Sequence, residues 1–173
     1  MNKLARALSV TFDLEDHRQG HDDSKRYLAN TARILDFLDE NAIRATIFVV
    51  GNIIPECRDV LRRASAAGHE LGLHSVTHTP LTQTTRATLG TTLADARASL
   101  EDLSGCAVTG FRAPVFSLTP ATAWITELLV EAGFHYSSSV LPAAHPLYGY
   151  PGAPRETFRW PSGLLEFPVP IGR

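Results

Sequence analysis

Two histidines four residues apart, in His74-Ser-Val-Thr-His78, and three acids within four positions, Asp13, Glu15 and Asp16, have the types and spacing to hold a metal ion. Neutral imidazole is a common ligand for zinc and related divalent ions, but two ligands leave a site unfinished. The two rings share one face if the backbone between them is helical. Alone, such a pair reads more readily as two surface histidines, and the acidic cluster changes the balance. Three carboxylates this close repel one another unless a cation or protons relieve them. One carboxylate can complete a His-His-carboxylate site with positions open for water and substrate. Another, left outside the metal shell, can take a proton from that water. Along an extended chain Asp13 and Glu15 point to one side and Asp16 to the other. The competing reading of the cluster is an acidic loop that caps a helix.

A third group is Arg112, in Phe111-Arg-Ala-Pro-Val-Phe-Ser117. A guanidinium can keep an acid ionised and orient it by paired hydrogen bonds. Pro114 restricts the backbone and fixes the direction of the following loop. An Arg-x-Pro turn is common, so this element gains weight only beside the other two.

The elements that must position these groups alternate between short apolar runs and longer helical patterns, the signature of an α/β fold with a parallel sheet. Strands are expected at 8–12, 45–50, 69–73, 108–111, near 135–136 and near 164–167. Helices are expected at 24–41, with Ser24 as N-cap and Leu28, Ile34, Leu35 and Leu38 at helical spacing, and at 55–67, 84–103 and 119–132. Residues 141–162, rich in Pro and Gly, read as an extended surface loop. Three strands end in polar groups: the acids at 13–16, the histidines at 74–78, and Arg112. In parallel α/β architectures the carboxyl ends of the strands carry the active site, so one rim would gather all three.

Composition narrows the function classes. The 173 residues, 44% hydrophobic and 20% charged, suit one globular domain, taken here as 1–173. A formal net charge of −2 with mixed signs leaves no basic stripe for nucleic acid. No stretch approaches the roughly 20 apolar residues of a membrane helix. MNKLARALSV lacks the apolar core of about 7–15 residues that a secretory signal needs, so a cytoplasmic location is expected. Cys57 and Cys106 form no CxxC and read as two buried, reduced thiols.

In this order, Thr11-Phe-Asp13 with acids at 15 and 16, His74-Ser-Val-Thr-His78 and Phe111-Arg-Ala-Pro114 resemble the polysaccharide deacetylases, carbohydrate esterase family 4, whose shared unit is the NodB homology domain. Ala45–Gly51, Gly68–Gly72, Gly133–Ser139 and Gly163–Pro168 look like family strands too, so the likeness covers nearly the whole chain. It is nearest the branch with an Asp-x-Glu-Asp first motif. The resemblance implies a distorted (β/α) barrel, with about six strands here and incomplete at its C-terminal end. It implies a divalent metal, zinc first, with cobalt, manganese and nickel as alternatives. It further implies Asp13 as general base, His74 and His78 as metal ligands, and Arg112 as the residue that holds Asp13. Glu15 is the first choice for the third ligand, by strand alternation, and Asp16 the second. Pro114 and Tyr136 are carried as substrate-contacting candidates.

The implied reaction is hydrolysis of an N-acetyl amide on an N-acetylhexosamine-containing polysaccharide or smaller glycan. A cyclic imide or ureide amidohydrolase on the same fold, and a non-catalytic metal- or carbohydrate-binding module, are the alternatives. Two departures bear on them. The family's late Leu-x-x-His has no counterpart before Arg173, and Ser137 stands where the family usually has an Asp before paired serines. An incomplete barrel would expose strand edges, which favours self-association into a homo-oligomer.

Overall fold

The computed structural model describes residues 8–16 and 25–171. Among these residues seven strands form one sheet: β1 (Val10–Leu14), β2 (Ala45–Val49), β3 (Glu70–Leu73), β4 (Gly110–Phe111), β5 (Tyr136–Ser137), β6 (Phe158–Arg159) and β7 (Leu165–Glu166). Their spatial order is β1-β2-β3-β4-β5-β7-β6. All neighbours run parallel except β6, which lies antiparallel to β7. The sheet is open, with β1 and β6 as its edges, so the expected barrel is incomplete.

The parallel strands need crossovers, and five helices supply them: α1 (Arg26–Glu40), α2 (Arg58–Ala66), α3 (Arg86–Gly90), α4 (Leu93–Ser104) and α5 (Ile125–Glu131). Alternation along the strands divides the residues cleanly. Leu14, Ile47, Val49, Leu71, Leu73 and Phe111 enter the core with helix residues such as Leu35, Leu61, Leu100 and Leu129. Burying each such side chain contributes about 1.5–3 kcal/mol relative to leaving it in water. The opposite face carries Asp13, Phe48 and Gly72, which sit side by side in register across β1, β2 and β3. The packed face thus fixes, by a period of two, which residues point inward.

Several expectations change. The stretch 141–162 is not one loop: it contains β6, which brings the strand count to seven rather than six. The pattern at 84–103 is two helices, broken at Thr91-Thr92, where both hydroxyls bond back to the Thr88 carbonyl and compete with the helical ladder. The pattern at 119–132 is a short 3₁₀ turn, Pro120–Thr122, followed by α5. On α1 the buried positions are Thr31, Leu35 and Leu38, whereas Ile34 is 39% exposed. Ser24 and its capping role lie outside the described residues. Cys57 is buried as expected, but Cys106 is exposed. No helix among the described residues is long and apolar enough to cross a membrane.

Candidate metal and catalytic site

Three strand ends meet at one point. β3 ends at Leu73, and the next residue, His74, is 1% exposed and donates its backbone N–H to Val49 O at 2.7 Å. His74 Nδ1 lies 2.9 Å from the Arg112 main-chain oxygen. A carbonyl can only accept, so Nδ1 carries the proton and Nε2 presents a lone pair.

The segment from His74 to His78 is not helical, contrary to one condition set from the sequence. Ser75 adopts a left-handed conformation, φ 61°, and turns the chain back. Gly51 and Asn52 then anchor the loop through N–H bonds to Ser75 O at 2.9 Å and Val76 O at 2.8 Å. A Cβ on Gly51 would sit 3.1 Å from the Val76 Cα, so this close approach suits glycine. The turn leaves the two imidazole centroids 5.2 Å apart.

Glu15, two residues beyond Asp13, reaches both rings. Its Oε2 is 3.5 Å from His74 Nε2 and in contact with His78 Nε2. One ligand atom from each of Glu15, His74 and His78 lies within 4.8 Å of the others. Donors about 2.1 Å from a tetrahedral ion stand about 3.4 Å apart, so this two-nitrogen, one-oxygen set fits a divalent metal. Asp16 is not in the group. Its charge instead acts on Cys57, whose thiol is pushed up to about 12 by burial first, with Glu56 and Asp16 adding to it.

Asp13 stands beside this cluster. Its Oδ2 is 3.8 Å from His74 Nε2 and its Oδ1 accepts from Arg112 Nη1 at 2.8 Å. Arg112 is 7% exposed and bonded at all three guanidinium nitrogens. Nη2 donates to Thr11 Oγ1 and Ser138 Oγ, both at 3.0 Å, and Nε donates to Ser138 O at 3.1 Å. The guanidinium carbon lies 4.1 Å from the Phe48 ring centroid. Phe48 can lie there because its neighbour is Gly72: a Cβ at 72 would be 2.6 Å from the ring. A flat cation stacked on an aromatic face and tied at three nitrogens has little freedom left.

The two remaining candidates sit differently. Pro114 is buried in a 3₁₀ turn, Pro114–Phe116, where its carbonyl accepts from Ser117 Oγ at 2.7 Å. Tyr136 turns its phenol toward Glu70 and Thr46, at the starts of β3 and β2, the opposite strand ends from His74 and Asp13. Burial, followed by the Glu70 charge, raises its pKa well above the usual phenol range. Tyr136 lines an open cavity of about 1470 Å³ on the inner face of the sheet, which reaches Asp13 and Arg112 but not the two histidines. Sequence reasoning did not single out Thr11, Phe48 or Ser138 as supports of Arg112. Strand alternation was the available signal, since Thr11 and Asp13 share a face, as do Thr46 and Phe48.

The family model described as polysaccharide deacetylase matches residues 2–136. The chain belongs to the polysaccharide deacetylase family. Among curated relatives, YheN of Bacillus subtilis (strain 168), whose name carries the same family, is 34% identical over 110 residues, 62% of this chain and 39% of that one. A chitooligosaccharide deacetylase of Rhizobium leguminosarum bv. trifolii is 36% identical over 90 residues, 47% of this chain and 40% of the relative. The matched region is thus about two fifths of either relative's length. Among solved structures, the peptidoglycan deacetylase PdaC of Bacillus subtilis is 27% identical with a TM-score of 0.55, covering 67% of this chain and 52% of that one. A family structure from Mycobacterium smegmatis, 24% identical, superposes with a TM-score of 0.69 over 93% of this chain and 57% of its own, and shares the fold. In this polysaccharide deacetylase family member, the Asp13–Arg112 pair thus lies directly beside the Glu15–His74–His78 set.

Proposed function

We propose that the protein removes the N-acetyl group from N-acetylhexosamine units of a glycan, with a divalent cation, zinc first, held by Glu15, His74 and His78. The observation that carries this reading is that Asp13 is placed against the three-ligand set by a buried arginine instead of belonging to it. The curated relatives named for chitooligosaccharide and peptidoglycan deacetylation support the substrate class.

A bound cation at this position supplies Lewis acidity toward the acetyl carbonyl and lowers the pKa of water. Arg112 occupies Asp13 Oδ1, so Oδ2, on the side of His74 Nε2, is the oxygen that removes the proton from the attacking water. The Nδ1–H bond to the Arg112 carbonyl holds the His74 ring in the tautomer that ligates. When the amide C–N bond breaks, the amine must leave with a proton, and Asp13, protonated by then, is placed to supply it.

The direct test is turnover of acetylated chitooligosaccharides beside a panel of cyclic imides and ureides, using metal-loaded protein. Acetate release from the sugars supports the reading. Ring opening of the cyclic amides with no acetate release would replace it.

A further inference from the structure

Glu166, on β7, is a wholly buried acid in the apolar run Leu164-Leu-Glu-Phe167, and the chemistry above does not use it. Its hydrogen-bond partners among the described residues are donors. Its Oε1 accepts from the backbone N–H of Ser139 at 2.7 Å and of Val140 at 2.9 Å, and its Oε2 accepts from the Trp160 indole at 3.2 Å. Burying a carboxylate is costly, and burial raises its pKa while these donors and Ser137 oppose the rise. A leucine in its place would leave the Ser139 and Val140 N–H groups without this acceptor.

Its connection to the site runs through one peptide group. The N–H of Ser139 that donates to Glu166 belongs to the same amide plane as the Ser138 carbonyl, which accepts from Arg112 Nε at 3.1 Å. The sequence of contacts is therefore Glu166 Oε1, the 138–139 peptide, Arg112 and Asp13 Oδ1. A strong acceptor on the N–H side polarises an amide and strengthens its oxygen as an acceptor, because linked hydrogen bonds reinforce one another. Ser139 adds a second anchor by accepting the Ala113 N–H on its hydroxyl at 2.8 Å, while Ser137 donates to that same hydroxyl at 2.7 Å. The segment 138–140 is thus held from the β7 side by the Glu166 carboxyl and from just beyond β4 by the Ala113 N–H.

We infer that Glu166 is a positioning residue, which through the 138–139 peptide sets how firmly Arg112 holds Asp13. The inference rests on the deacetylase reading for its effect on rate, but not for its effect on Arg112. Glu166 touches no reacting atom, so its signature is a change in Arg112 and in kcat, with KM and metal content unmoved.

The test separates charge from shape. Glu166→Gln keeps the length and one acceptor oxygen but removes the charge, and Glu166→Asp keeps the charge but shortens the arm. Exchange of the Arg112 Nε–H with solvent is followed by NMR in the whole protein, the resonance being assigned with Arg112→Lys. The expected result is a protected Nε–H in wild type, a roughly tenfold faster exchange in the Gln variant and a smaller change in the Asp variant. Where turnover is measurable, kcat falls in the same order, by about tenfold for Gln, with KM within about twofold. An unprotected Nε–H in wild type overturns the inference without any variant. A Gln variant as protected as wild type, or more protected than the Asp variant, overturns it too. A protein that shows the exchange pattern but hydrolyses no acetamide keeps this inference and loses the deacetylase reading.

Discussion

His74 and Arg112 are joined through the main chain: the imidazole Nδ1 lies 2.9 Å from the arginine's carbonyl oxygen, while the guanidinium of the same residue holds Asp13 at 2.8 Å. Arg112, the residue directly after β4, thus orients His74 with its backbone and Asp13 with its side chain. The two roles separate on mutation. Arg112→Lys leaves the carbonyl in place, so bound metal is expected to stay near the wild-type amount. The lysine cannot reproduce bonds to Asp13, Thr11 and Ser138 together, so kcat is expected to fall by about 10–100-fold. Metal analysis beside steady-state kinetics checks this, and loss of metal in the lysine variant would show that the side chain supports the ligand set.

Asp13→Asn tests the base. The amide keeps the shape and can still accept from Arg112, but it cannot take a proton. Loss of about 10²–10⁴ in kcat is expected, with metal content unchanged. A variant that retains activity would move the base to another group.

Gly72→Ala acts at a distance. The added methyl would lie 2.6 Å from the Phe48 ring, whose face supports the Arg112 guanidinium. Overpacking of this kind costs about 1–3 kcal/mol. Thermal denaturation should show that loss, and kcat should fall further than stability alone explains because Phe48 must shift under Arg112. Unchanged melting and rate would mean that the ring has room to move away.

The two thiols should behave oppositely. Cys106 is exposed and should react at once with a thiol reagent, whereas Cys57, wholly buried, should react only after denaturation. Burial holds the Cys57 proton on in the folded state up to about 12, above the ordinary thiol value of 9.0. The folded state then binds more protons than the unfolded one between those values, so stability is full below pH 9 and declines as pH rises toward 12. Cys57→Ala should flatten that alkaline decline in a pH series of melting curves. An equal slope in both proteins would exclude the thiol as its source.

Much of the site could be read from residue types and spacing. Asp13 and Glu15 share a strand face by alternation, and the buried Leu14 between them enforces it, which is why Glu15 and not Asp16 joins the histidines. The turn at Ser75 was not legible, because a left-handed serine carries no signal in its neighbours; four-residue spacing puts the two histidines on one face only if the backbone is helical, and here the turn brings the rings together instead. β6 escaped notice for a similar reason. Two residues, Phe158 and Arg159, pair with β7 only after a long loop folds back, and so short a strand has no period to detect. The orientation of Tyr136 depends on Gly110, the small residue opposite it in register, which leaves its ring room to lie inward. The partners of Glu166 come from just beyond β5 and just beyond β6, a convergence that only the folded sheet creates.

The central claim is that Glu15, His74 and His78 bind one divalent ion and that Asp16 does not. Metal content by plasma mass spectrometry would test it on wild type and on Glu15→Ala, His74→Ala, His78→Ala and Asp16→Ala, each supplied with zinc and then dialysed. Near-stoichiometric metal is expected in wild type and Asp16→Ala, and loss in the other three. Metal-free wild type, or metal retained in Glu15→Ala and lost in Asp16→Ala, would contradict it.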